Sequence, residues 1–231
     1  MNQDLAQIVT YYATRSHKEL NELLLDKSKN NLISVLIDLL TTYINDKNSS
    51  TLREFITVSL SGYNHLEGKI GYNGYKQTSI SKGKTIKCEA KPKNYDTEQL
   101  KKYKQGKRKS IPSKLNGNGN FTDYTFGRLE RDIKENPNML ISGFVDGKLI
   151  YILEFPFNNK PFVYKLRQQL NKRFIKGDIS GQYLRSAYFN YSNFVETNNL
   201  RIVYLLKKGE LDNYKDYINK KFFEILLNSA S

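Results

Sequence analysis

Residues 71–93, GYNGYKQTSISKGKTIKCEAKPK, decide how this chain is read. From residue 84 to 91, Ile86, Cys88 and Ala90 fall on one side of a period-two pattern, while Thr85, Lys87, Glu89 and Lys91 fall on the other. That alternation predicts a half-buried strand. Side chains two apart on a strand share a face and stand roughly 6.5 Å apart, so Glu89 and Lys91 are aimed at one spot in front of a sheet. Residues 69–76 read as the partner strand of a hairpin closed through 77–83, and they carry Asn73 sixteen positions before Glu89. Pro92 is expected to end the second strand. An acid, any residue and then Lys occurs four times, beginning at Glu67, Glu89, Asp132 and Asp146. Asp132 lies in a helix-like stretch, and Asp146-Gly147 suits a hairpin turn because both residues tolerate positive φ. Glu67 precedes the first strand. Only Glu89 and Lys91 combine strand periodicity, a preceding hairpin and a polar residue at the mouth of the partner strand.

Working outward, the first 60 residues read as a helical layer that covers one face of a sheet or forms a dimer interface. Ser16 and Glu19 have the spacing of a capping box, Leu32, Leu36, Leu39, Leu40 and Tyr43 recur at helical spacing, and Thr51 and Glu54 are placed to cap a further helix. Residues 101–120, KKYKQGKRKSIPSKLNGNGN, are poor in apolar side chains and read as a loop. Asp123 is expected to cap the helix in FGRLERDIKEN, which stops before Pro137. Residues 139–145 and 148–155 read as apolar strands about Asp146-Gly147. Glu154 is out of place in such a strand and has three readings: an edge residue, a salt-bridge partner of the basic helix that follows, or an accessory acid. Residues 161–174, PFVYKLRQQLNKRF, read as that helix, with Pro at its start. The Tyr-rich stretch from 177 to 194 contains Arg185 and Asn190, whose side chains suit guanine and adenine edges. Residues 201–206 read as a last strand and 210–227 as a terminal helix. The fold class is therefore α/β, a mixed central sheet flanked by helices in one domain of 231 residues.

Charge adds a second constraint. The net charge is +14, yet residues 1–66 carry six basic and seven acidic groups. The excess is concentrated in two acid-free windows, Lys101, Lys102, Lys104, Lys107, Arg108, Lys109 and Lys114 in one, and Lys160, Lys165, Arg167, Lys172, Arg173 and Lys176 in the other. Such segments suit a polyphosphate partner, whose phosphates they would contact. One cysteine, Cys88, excludes an intrachain disulfide, and with only His17 and His65 beside it a conventional zinc site is excluded as well. The N-terminal residues lack a signal-peptide pattern, and the longest apolar run, 32–40, is interrupted by Asp38. A reducing, cytoplasmic setting is expected. No Gly-rich phosphate loop, HExxH or Ser-His-Asp set is present.

With Asn73, Glu89 and Lys91 in that arrangement, the stretch from about 67 to 157 resembles the PD-(D/E)XK nuclease superfamily, and especially the type II restriction endonucleases of restriction–modification systems. The resemblance implies a homodimeric, Mg²⁺-dependent enzyme that hydrolyses both strands of double-stranded DNA at a specific site. It implies that Glu89, with Asn73 or Glu67, holds the metal and that Lys91 orients a water. It divides the chain into the helical layer of 1–60, a catalytic core of 67–157, and a segment of 158–231 with the basic helix, DNA contacts and terminal helix. The family's pattern has aspartate where this chain has Asn73, an amide that offers oxygen but no charge. An inactivating substitution would read the same, and Glu67 is the nearest alternative acid. Two other readings stand beside this one: a repair or junction-resolving nuclease of the same superfamily, and a non-catalytic nucleic-acid-binding protein.

Overall fold

The computed structural model describes residues 2–45, 50–66, 71–77, 85–175, 177 and 181–230. Four helices come first: α1 (Gln3–Thr14), α2 (His17–Leu25), α3 (Lys29–Asn45) and α4 (Ser50–Leu60). Ser16 and Glu19 close the expected capping box on α2, whereas α4 starts at Ser50, so Thr51 lies inside its first turn rather than capping it. Leu5, Val9 and Ala13 of α1, Val35 of α3 and Ile56 of α4 bury against Phe144, Leu149 and Ile152 of the sheet. Burial of that apolar stripe holds the layer in place.

The strands follow: β1 (Asn64–His65), β2 (Gly74–Gln77) and β3 (Thr85–Tyr95), then α5 (Thr97–Lys104), β4 (Gly119–Tyr124), α6 (Phe126–Glu135), β5 (Asn138–Val145) and β6 (Lys148–Pro156). After them come α7 (Lys160–Arg173), β7 (Leu184–Phe189), β8 (Arg201–Leu205), α8 (Lys208–Leu211) and α9 (Lys220–Ser229). Six strands form one mixed sheet in the order β1-β2-β3-β5-β6-β8, and β4 pairs with β7 in a separate ribbon. Only β3 and β5 run parallel in the sheet, joined by the crossover through α5, β4 and α6. Every other pair is antiparallel. Asp146 and Gly147, with φ of 47° and 82°, turn β5 into β6 as the sequence predicts. The face away from the helical layer carries the largest core, in which Met139, Ile141, Leu153 and Phe155 meet α6, α7, α9 and the β4–β7 ribbon.

Several expectations are corrected. Strand β3 runs past Pro92 to Tyr95. Backbone N–H groups alternate sides along a strand, and Ala90 donates toward β2, so the position of Pro92 also faces the side where β2 has already ended. No ladder bond is lost there. Residues 101–104 are helical, because Asp96 caps α5 and Glu98 pairs with Lys101 on its surface. Thr125, not Asp123, caps α6, and Asp123 sits exposed at positive φ in β4. The expected terminal helix is broken: a parallel bridge between Leu115 and Ile218 interrupts it, and Asn219 caps a fresh helix, α9. Among the described residues no helix is long and apolar enough to cross a membrane.

Candidate active site

Backbone register creates the site. β2 and β3 pair as Gly74↔Cys88 through Gln77↔Thr85, and one further step sets Asn73 opposite Glu89. The Asn73 N–H donates to the Cys88 carbonyl at 2.9 Å. Beyond the end of β2 the Ala90 N–H has no backbone acceptor on that side, and Asn73 Oδ1 supplies one at 2.7 Å. Thus the amide is held beside Glu89 by a structural bond that an aspartate would make equally well.

Gly74 makes this closeness possible. A Cβ there would stand 2.6 Å from Val58 Cγ1 and 2.9 Å from the Asn64 carbonyl, so helix α4 packs directly on the strand end that carries Asn73. Ile86, Cys88 and Ala90 face α4 as the alternation predicts, and burial pushes the Cys88 thiol well above its usual range.

Glu89 and Lys91 face the other way. Their partners on β5 are Met139 and Ile141, which belong to the large core, and Lys91 Nζ donates to Glu89 Oε1 at 2.6 Å. The ammonium also stands 4.8 Å from the centre of the Phe121 ring on β4. Gly119 lets β4 approach this closely, since a Cβ there would lie 2.9 Å from Lys91 Cβ and 2.5 Å from Phe189. The pair is consequently enclosed: Glu89 is 6% exposed, and Lys91 reaches the surface in part. Two positions further along, Lys93 is held below the usual lysine range by burial, then by the positive charges of Lys91 and Arg53.

A second acid near this face comes from α6. Buried Asp132 accepts from Tyr72 at 3.3 Å, from Tyr124 at 3.2 Å and from Arg131 at 3.1 Å. Burial raises both phenols, helped by the Asp132 carboxylate and, for Tyr124, by Glu89 as well. Through Tyr72 this network pins the residue before Asn73. The only sequence signal for it was an acid at position 132 inside the apolar stripe of Leu129 and Ile133. Among the described residues no three His, Cys, Asp or Glu side chains cluster together, whereas Mg²⁺ is commonly held by only one or two carboxylates and waters. Glu67 lies outside the described residues.

Glu154 is not an accessory acid. Ala90 pairs with Leu140 and Leu140 with Glu154, so its carboxylate lies on the α4 face, across the sheet from Glu89. There it accepts from Tyr63 at 2.6 Å and Asn138 at 2.8 Å, and it pairs with Arg201 of β8 and Lys76 of β2. The expected ion pair exists with partners other than the basic helix.

The basic windows are distributed over several elements. Lys101, Lys102 and Lys104 are exposed on α5, which leaves β3 four residues, or about 13 Å, beyond Lys91 at its nearest point. Lys107, Lys109 and Lys114 are exposed in the segment to β4, while Arg108 bonds to Gln99. On α7, Lys172 and Arg173 are exposed, Lys165 lies over Tyr188 at 4.7 Å, and Arg167 pairs with Glu130 at 2.7 Å. Lys176 lies outside the described residues. Arg185 is exposed on β7. Asn190 is not placed for base contact through its oxygen, which caps a 3₁₀ turn by accepting from Ser192. Compared with known proteins, the chain matches no family model and no curated sequence.

Proposed function

We propose that this chain is a Mg²⁺-dependent, sequence-specific endonuclease of double-stranded DNA, of the type II restriction kind. The observation that carries the reading is the contact between Glu89 and Lys91 on one face of β3, with Asn73 in register opposite Glu89. Oxygen donors suit Mg²⁺, which takes one or two carboxylates and keeps several waters. Glu89 Oε1 is engaged by Lys91, so Oε2 and the second lone pair of Asn73 Oδ1 are the atoms that would hold the ion, with Glu67 as a further candidate. Bound there, Mg²⁺ would supply Lewis-acid polarisation of a phosphoryl oxygen and of a water.

The chain's own groups do the rest. Lys91 presents a donor to the attacking water and to charge that develops on the phosphate, and its enclosure by Phe121 and Gly119 strengthens that interaction over its value in bulk water. Glu89 fixes the ammonium in place. Exposed charges of α5, the segment after it and α7 supply salt-dependent affinity for the DNA backbone, and Arg185, exposed on β7, would contact base edges. One observation favours a different reading, a nucleic-acid-binding protein without catalysis: the amide of Asn73 brings no charge, and its oxygen already accepts from Ala90.

A plasmid digest with Mg²⁺ tests these readings. Discrete fragments support the restriction-type enzyme. Nicking confined to branched or damaged DNA supports a structure-specific nuclease of the same chemistry. Binding without cleavage at any Mg²⁺ concentration supports the non-catalytic reading and removes the proposal.

A further inference from the structure

Helix α3 carries two apolar stripes, one turned into the core and one left exposed. Its inner side places Val35 and Leu39 in the core beneath α1 and α4. On its outer side Ile33, Leu36, Ile37, Leu40 and Tyr43, at the i, i+3, i+4, i+7 and i+10 positions, are between 46% and 60% exposed. An amphipathic helix buries one apolar stripe against its core, and α3 carries a second stripe that no described residue covers. Isolated surface hydrophobics need no explanation, whereas a continuous stripe of five marks an interaction site.

We infer that the outer face of α3 is a docking surface for α3 of a second copy of this chain, about a two-fold axis. This rests on the exposure pattern and not on the nuclease reading. Three features select a second copy. First, Ile33, Leu36, Leu40 and Tyr43 have the alternating three- and four-residue spacing of a helix–helix seam. A two-fold pairing needs such a self-complementary patch.

Second, charge restricts where two copies can meet. Each copy carries +14 in all, and copies that met through the basic elements would repel. Residues 1–66, with six basic and seven acidic groups, are the neutral part, and α3 itself carries only Lys29 and Asp38. Third, the area suffices: five half-exposed side chains of this size amount to on the order of 1,000 Å² over two copies, the threshold for a specific interface. A membrane surface fits less well, because interfacial helices set Lys and Arg opposite their apolar face, and α3 sets Asn31, Asp38 and Thr42 there.

Sedimentation of the full chain across the micromolar range tests this without any measurement of cleavage, so its outcome is separate from that of the nuclease reading. The parent is expected to be a dimer. The double variant Ile37→Glu with Leu40→Glu, both at exposed positions, is expected to be a folded monomer by circular dichroism, with the dissociation constant raised roughly a hundredfold or more. As a second measurement, Ile37→Cys is expected to form a disulfide-linked dimer under mild oxidation, and Ser34→Cys, off the stripe, is not; native Cys88 is buried and does not interfere. A parent that stays monomeric, or a glutamate variant that stays dimeric, overturns the inference. Flotation of the parent with lipid vesicles that is lost in the glutamate variant would overturn it in favour of a membrane.

Discussion

Asn73 makes a structural bond with the same oxygen that the proposed function assigns to the metal. It completes the hydrogen bonding of Ala90, so replacement by aspartate keeps the geometry and adds a carboxylate opposite Glu89. Two facing carboxylates repel without metal and hold a divalent cation more tightly with it. Asn73→Asp should therefore raise cleavage by about tenfold or more at limiting Mg²⁺ and by less at saturating Mg²⁺, by analogy with the tenfold to hundredfold effects of tuning a metal site. Equal cleavage at every Mg²⁺ concentration would remove Asn73 from the metal site; Glu67→Ala is the next variant to assay. On the opposite face, Glu154 is held below the usual carboxylate range: burial acts against this, and the bonds from Tyr63 and Arg201 and the charge of Lys76 overcome it. A depressed carboxyl contributes stability above its unfolded pKa, about 4.3, that is lost as pH falls through the folded value. Unfolding measured from neutral to acid pH should show that loss in the parent and a smaller one in Glu154→Gln, which starts about 1–3 kcal/mol less stable because its charged partners are left behind. Parallel acid profiles would assign the acid sensitivity to other groups.

Elements position these residues, and close backbone approach is the means. Gly74→Ala forces α4 off the end of β2 and should cost about 1–3 kcal/mol by overpacking, together with much of any cleavage. Gly209→Ala, which meets nothing within 4 Å, is the matched control in denaturant unfolding; equal midpoints for the two would contradict the packing account. For the basic segment, Lys101 and Arg108 have partners within the chain, whereas Lys102, Lys104, Lys107 and Lys109 are exposed. Neutralising those four should lower the slope of log affinity against log salt by about 3–4 at ~0.9 per phosphate contact. An unchanged slope would make α5 and the segment after it solvated surface. At this scale the sequence was legible wherever one local period governed, as in Ile86 to Lys91, the Asp146-Gly147 turn and the Ser16 capping box. It was not legible where the outcome depended on which edge a strand offered: Pro92 is tolerated only because β2 has ended there. Nor could local spacing choose between Asp123 and Thr125 as the cap of α6, or show that Ile218 would be drawn into a bridge with Leu115.

For the whole molecule, the sheet is a partition. Its helical-layer side holds α1, α3 and α4, the Glu154 network and the neutral outer face of α3, while its other side holds Glu89, Lys91 and the aromatic core under α7 and the ribbon. Period-two alternation told which residues shared a face of β3, but not that Glu154 lay across the sheet, because that follows from pairing through β5. Asn73 was singled out by its spacing to Glu89, whereas the network joins Tyr72, which precedes β2, to Tyr124 of β4 and Asp132 of α6, and no local pattern connects them. At the heart of the proposed function lies the joint action of Glu89 and Lys91 on a phosphodiester. Its most direct test is conversion of supercoiled plasmid in Mg²⁺ by the parent, Glu89→Ala and Lys91→Ala, with binding to the same DNA measured in Ca²⁺. Cleavage is expected from the parent, with a loss of about a hundredfold or more in either variant and nearly unchanged binding in Ca²⁺. Full cleavage by both variants would contradict it.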